Sequence, residues 1–482
     1  MNAQDIFDGV TDIRDDLITG AKDPSAKQRR WTKKRWTGAV AAVLAIAVLA
    51  GIFLRPGGTA AAYAIAEAQY PRMAPYPSSL AQQLGGSARD KWREDIKAQQ
   101  RDLGDTSSLQ AFFARSAETF LAGDTGRNRV YSPLNVYMAL AMLAQLTGSE
   151  SRAQILTVLG SDSMDALRQQ ANDVWNANYR DDGALTSVLA SSLWLNRDVK
   201  FNRDTMNTLA RNFYASSYRG EMGSEQFNKA LQSWLNEQTG GLLEKQAGNI
   251  ALEPETILAL ATTVYFKAKW GSEFSREKTA PEIFHAPDGD IEIDFMHKRS
   301  SELYYWGGKF AAVEQYFEGY GASSMWFLLP DEGITPEELL SDAEVIDFLF
   351  TNDRSERENK KYLFVNKSIP KFDVSSQFDL TDGLQALGIT DVFDPARSDY
   401  TPMTTGVDVP IILSQANHAA RVVIDEEGCT AAAFTVIANT AGMGPADDDE
   451  VDFVLDRPFL FCITGISGLP LFVGIVNHPA SG

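Results

Sequence analysis

Few side chains in this 482-residue chain could carry a reaction: His285, His297, His418 and His478, the cysteines Cys429 and Cys462, and Ser467 in "TGISGLP". Acyl transfer needs a nucleophile with a base beside it, and a metal site needs several donors at close spacing. Neither arrangement is written here. HExxH, P-loop, GxGxxG and GxSxG patterns are absent, and so is CxxC. "TGISGLP" lacks the glycine spacing of a nucleophile turn and reads as a hairpin turn. His418, beside residues of strand character, reads as a satisfied buried histidine. Two cysteines make no disulfide framework, so Cys429 and Cys462 are expected as small, free thiols in buried or half-buried places. The expectation is a protein with no catalytic residue, no metal and no cofactor. A serine hydrolase is disfavoured by the missing nucleophile motif.

One segment is unusual for what it lacks. In "VVIDEEGCTAAAFTVIANTAGMGPADDDEVDFVLDRPF", Val422 to Phe459, the run from Gly428 to Gly444 holds no charge and no proline, and acids crowd both of its ends.

The elements that must position this ribbon change character along the chain. "SSLQAFFARSAETFLAG" repeats apolar residues at helical spacing, "NVYMALAMLAQLT" is largely apolar and therefore a buried helix, and "AQILTVLG" ends at a C-cap glycine. Later segments such as "MWFLLPDEG", "KYLFVNKSIPKFDV", "ARVVIDEEG" and "LPLFVGIVN" are short, branched and aromatic, as strands are. Helices early and strands late predict an α+β fold without βαβ alternation.

With 44% hydrophobic residues a large core is available. The net charge is −20, but residues 1–55 carry nine cations against six acids, leaving 35 against 58 for the rest. An acidic body without a basic stripe excludes nucleic acid as a partner. Residues 36–54, "WTGAVAAVLAIAVLAGIFL", are uncharged and long enough to span roughly 28 Å as a helix, close to a bilayer's hydrocarbon core. The cations of "RRWTKKRW" precede it, which predicts a single-pass anchor with residues 1–35 cytoplasmic and the body outside. The rival is signal cleavage near "AAAYA" and secretion. Residues 55–105, with Pro, Tyr and small residues and a polar helix "DKWREDIKAQQRDLG", read as a linker or stalk, and residues 106–482 as the globular body.

Several blocks of that body together resemble the serpin family. "NRVYSPLNVYMALAMLAQLTGSESRAQILTVLG", "TTVYFKAKWGSEF", "SSMWFLLPDEG", "SIPKFDV", "LGITDVFDPARSDYTPMT", "HAARVVIDEEGCTAAAFTVI", "DRPFLFCIT" and "PLFVGIVNHP" follow the family order over about residues 106–480. The resemblance implies three β-sheets with surrounding helices, and an exposed reactive-centre loop that a serine protease cleaves. The loop then enters the central sheet as a new strand. Such a strand needs its backbone donors, hence no proline, and small uncharged inward side chains.

Carried over residue by residue, the hinge is Glu426, Glu427, Gly428, Cys429, Thr430, Ala431, Ala432 and Ala433. Cys429, Ala431 and Ala433 would face inward after insertion, and Thr430 and Ala432 outward. The reactive bond falls at Gly442–Met443, with Ala441 as its neighbour, to within about one residue. Small residues there favour an elastase-like or subtilisin-like protease. Ser132, Asn135 and His418 form the shutter beneath the central sheet, with Asn135 where serine is usual and Thr262 where asparagine is common. Lys371 and Glu426 form a latch pair. Cys429 replaces the usual Thr or Ser. The implied function is irreversible, suicide-type inhibition through a covalent acyl-enzyme complex, by a monomer held to the membrane by one helix. The alternative is a non-inhibitory relative acting as a binding module.

Overall fold

The computed structural model describes residues 63–77, 87–122, 126–319, 323–350, 357–404, 407, 410–413, 416–429 and 449–479. The helices come mainly first: β1 (Tyr63–Ala66), α1 (Ser87–Gln99), α2 (Ser107–Leu121), β2 (Arg129–Tyr131), α3 (Pro133–Leu146), α4 (Ser149–Leu159) and α5 (Met164–Asn178). Then follow β3 (Arg180–Asp181), β4 (Leu185–Asn196), α6 (Arg203–Asn212), β5 (Ala215–Gly220), α7 (Glu225–Gln238), α8 (Glu244–Gly248) and β6 (Leu258–Lys269). The next stretch holds β7 (Ala280–Ala286), β8 (Gly289–Trp306), β9 (Phe310–Tyr316), β10 (Ser324–Pro330), α9 (Pro336–Leu339), α10 (Ala343–Phe350) and β11 (Lys360–Pro370). The chain continues through β12 (Phe372–Asp379), α11 (Thr381–Ala386), β13 (Asn417–Ile424), β14 (Gly428–Cys429), β15 (Glu450–Val454), β16 (Phe459–Thr464) and β17 (Pro470–Val476).

The first sheet has the order β1-β5-β4-β6-β14-β13-β12, with β3 on β4. The second path runs β15-β11-β8-β9-β10-β16-β17-β2, with β7 on β8. The 18 residues of β8 serve three ladders in succession: Gly289–Phe295 pair with β7, Phe295–Tyr305 with β11, and Tyr304–Trp306 with β9. This one strand joins two of the three expected sheets. The main core lies between the sheets, where α3 touches both β6 and β17 and is buried along almost its whole length. Its entry is fixed by Ser132, whose side chain accepts the Asn135 N–H, and by Pro133 in the first turn. A smaller core covers the other face of the first sheet, where Phe227, Leu231 and Leu235 of α7 meet Trp194 of β4.

The reading of residues 55–105 as a linker meets a different arrangement from Tyr63 onward. Contacts group residues 61–482 into one compact unit. β1 pairs antiparallel with β5, Tyr63 opposite Arg219 and Ala66 opposite Ser217, and so extends the first sheet. Tyr70 packs against Trp175, Tyr179 and Tyr214, with ring centroids 5.1, 5.6 and 6.2 Å away. The Tyr76 N–H donates to Asp182 O at 2.6 Å, and its hydroxyl donates to Glu318. In α1, Trp92 and Ile96 are buried, and Trp92 lies against the guanidinium of Arg180. Arg180 and Asp182 form an almost wholly buried ion pair at 2.6 Å, whose carboxylate also accepts the Ala184 and Leu185 N–H groups. Aromatic anchors spaced along a polar segment fasten it to the body, because each buries a large apolar area at little cost in side-chain freedom.

Residues 36–54 lie outside the described residues. Among the described residues no helix is long and apolar enough to cross a membrane.

Candidate functional site

β6 and β13 run parallel, and the two-residue β14 lies antiparallel between their upper ends: Gly428 opposite Lys269, and Cys429 opposite Ala268 on one side and Ile424 on the other. Below that point the strands part. Among the described residues, β6 from Leu258 to Lys267 pairs only with β4, and β13 from Asn417 to Val423 only with β12. Between them lies a cleft of about 470 Å³, lined by Leu258, Leu260 and Thr262 of β6, Asn417 and Ala419 of β13, and Leu140 of α3 beneath. Two facing strand edges inside a sheet are a template for a further strand.

The hinge residues are held at the mouth of this slot. Asp425 makes a tight turn, accepting the Glu427 and Gly428 N–H groups at 2.9 and 3.1 Å, while its own N–H donates to Gly428 O. Gly428 is required by close approach: a Cβ there would lie 2.2 Å from Ala268 O. Trp270 donates its backbone N–H to Glu427 O and its indole N–H to Asp425 O. Arg276 pairs with the Glu427 carboxylate. Cys429 is 2% exposed and Cys462 0%, so both thiols are buried.

The latch residues are neighbours. Lys371 Nζ is 3.4 Å from Glu426 Oε1, which also accepts from Thr279 Oγ1 at 2.9 Å. Burial raises the Glu426 carboxyl, but the backbone, Thr279 and Lys371 together outweigh it and hold it below the usual carboxylate range. Glu426 is almost fully buried, while the Lys371 side chain is 35% exposed, so the pair lies at the boundary between interior and surface.

The shutter residues meet beneath the slot. The Ser132 N–H donates to His418 Nε2 at 3.2 Å, and Ser132 Oγ donates to Leu471 O at 2.6 Å. Asn135 Nδ2 donates to Thr262 O at 3.3 Å, so the longer Asn135 side chain reaches the backbone of β6 itself. Burial pushes the His418 imidazole down to about 4, which makes it a neutral acceptor near pH 7.

Thr430, Ala431, Ala432, Ala433, Ala441, Gly442 and Met443 lie outside the described residues. Downstream of them, the acidic run has partners at its end: Asp449 pairs with Lys361, and Glu450 meets Arg299 at 3.0 Å and Asn366 at 2.8 Å. These carboxylates moor β15 alongside β11. Ser467 sits in the β16–β17 hairpin turn and donates to Asn178. Among the described residues no group of three His, Cys, Asp or Glu is placed to hold a metal ion.

Sequence reading missed Trp270, Thr279 and the pair Arg421–Asp373. Arg421 had a visible signal, as the one cation within the apolar run "AARVVI". Thr279 had none.

The family described as serpin (serine protease inhibitor) matches residues 107–479. Serpin-ZX of Arabidopsis thaliana is 28% identical over 366 residues, covering 73% of this chain and 92% of that protein. Arabidopsis AtSerpin1 in its native stressed conformation superposes with a TM-score of 0.66 at 25% identity, covering 78% of this chain and 99% of that one. Human thyroxine-binding globulin complexed with its ligand gives a TM-score of 0.65 at 21% identity, covering 79% and 100%.

Proposed function

This chain belongs to the serpin family, and on that premise we propose that it is a suicide-type inhibitor of a serine protease acting outside the cytoplasm. The observation that carries the reading is the slot: two strand edges that face each other without a partner among the described residues, with Gly428 and Cys429 of the hinge in its mouth. Continuing the register of Cys429 down the slot would set Ala431 between Phe266 and Val422, and Ala433 between Val264 and Ala420. Phe266, Val422 and Ala420 are buried, so only small side chains suit these places. Thr430 and Ala432 would fall on the other face.

The protease supplies the nucleophile, and this chain supplies the bait bond near Gly442–Met443. Insertion of about fourteen residues would carry the acylated protease roughly 45 Å. An oxyanion hole distorted at the end of that travel no longer hydrolyses the acyl bond, because its donors must aim accurately. The uncharged "NTAGMG" suits elastase-like or subtilisin-like specificity pockets, and residues 36–54 would hold the inhibitor at the membrane. The other reading is a non-inhibitory binding module, for which thyroxine-binding globulin is a precedent of fold only.

The test is incubation of the full chain with a panel of serine proteases, followed by denaturing electrophoresis. The full chain is needed because β1 and α1 pack on the body. A protease-sized, SDS-resistant upshift is expected. Cleavage without any adduct across the panel supports the binding-module reading.

A further inference from the structure

The slot is bridged on its outer face by a contact that the inhibitory reading does not use. Arg421 projects from β13 on the face away from the main core, alternating with the buried Ala420 and Val422. Its Nε and Nη2 donate to Asp373 of β12 at 2.7 and 2.5 Å, a two-pronged pairing. Its remaining arm crosses outward: Nη1 donates at 3.1 Å to the carbonyl of Leu242, in the turn between α7 and α8.

That turn belongs to the opposite wall. α7 is packed on β4 and β6 through Leu231, Leu235 and Trp194. The turn enters through Gly240, with φ +56°, where a Cβ would lie 2.7 Å from the ring of Tyr265 on β6. The turn is therefore seated on β6 and fastened to β13, and it spans the gap that an incoming strand has to fill. In an inserted strand that continued the register of Cys429, Ala432 would fall level with Tyr265 on one side and Arg421 on the other, at this crossing.

We propose that Arg421, seated by Asp373, bolts the α7–α8 turn across the slot, and that release of this bolt limits the rate at which the loop passes. Arg421 is a positioning residue: it touches neither the bait bond nor the protease. The inference rests on the insertion reading above. Arginine is suited to the task because one planar fork holds the carboxylate while a further donor stays free for the carbonyl. The single ammonium of a lysine can keep the carboxylate but not both.

The experiment nicks the loop of the full chain with a protease that is not trapped, and follows the appearance of the heat-resistant inserted form with time. Arg421→Lys is expected to shorten the half-time several-fold, and Asp373→Asn to shift it the same way. Ala432→Leu enlarges the side chain that passes under the bolt, so it should slow insertion several-fold in the parent and much less in Arg421→Lys. An unchanged half-time in Arg421→Lys, or strictly additive effects of the Lys and Leu substitutions, overturns the bolt. A parent chain that inserts but never traps a protease overturns the inhibitory function and leaves the bolt readable. A parent that never inserts overturns both.

Discussion

At its outer edge the first sheet is covered. β1 pairs with β5, Tyr70 packs on Trp175 and Tyr214, and Trp92 of α1 lies over the buried Arg180–Asp182 pair. A few strands inward, among the described residues, β6 and β13 leave facing backbone edges with only Gly428 and Cys429 between them. Edges of both kinds invite a further strand, and proteins commonly cover or interrupt them. Here the peripheral edge is closed by a segment outside the family's own span, while the internal one is left open beneath its own hinge. On the proposed insertion reading, the difference is between an edge closed by the chain's own upstream segment and a gap kept for an incoming strand.

The largest test of this contrast is to fill the gap. Nicking the loop near Met443 should raise the melting temperature by more than about 10 °C, since a new central strand adds a ladder of hydrogen bonds and packing to a fixed framework. Calorimetry before and after cleavage decides it. An unchanged transition would mean that the edges never pair.

Next in size is a charge forced into the gap. Ala433→Arg would drive a guanidinium toward Ala420 and Val264, a cost of several kcal/mol without a partner. The variant should still be cleaved but should trap little protease, measured as inhibitor molecules consumed per protease captured. Normal trapping would remove the assigned register.

The covered edge is tested by Trp92→Ala. Truncating a buried tryptophan costs about 3–5 kcal/mol, and here it also uncovers an ion pair. Urea unfolding of the full chain should show the loss. A change below about 1 kcal/mol would return residues 87–99 to the status of a loose stalk.

The smallest effect lies below the gap and depends on pH. His418 is held neutral down to about 4, against an ordinary value of 6.5. The unfolded chain therefore takes up a proton in this window that the native chain refuses. Stability should fall by roughly 3 kcal/mol as pH drops from 6.5 to 4, and His418→Gln should remove that slope. Equal slopes for both proteins, from denaturant titrations at each pH, would detach His418 from the shutter.

Much of this was legible before any coordinates. The largely apolar pattern of "NVYMALAMLAQLT" announced a buried helix, and the uncharged run from Gly428 to Gly444 announced a segment able to become a strand. The covered edge was not legible, because "GGTAAAYAIAEAQYPRMAPYPSS" has the composition of a linker. What fastens it is a handful of aromatic residues meeting partners more than a hundred positions away, which periodicity does not report. The Arg421 bolt was half legible: the odd cation was visible, but its partner is a backbone carbonyl, which leaves no mark in sequence.

The loop is moored at its two ends by different materials. Upstream, the hinge is tied by backbone hydrogen bonds to Trp270 and by the buried Glu426 carboxylate, with one part-exposed ion pair, Arg276–Glu427, beside them. Downstream, β15 adds to its ladder the half-exposed ion pairs Lys361–Asp449 and Arg299–Glu450. Dissolved salt screens exposed charges and leaves buried ones largely alone. Added salt therefore weakens more of the downstream fastening than of the upstream one, so ionic strength shifts the balance between the two moorings.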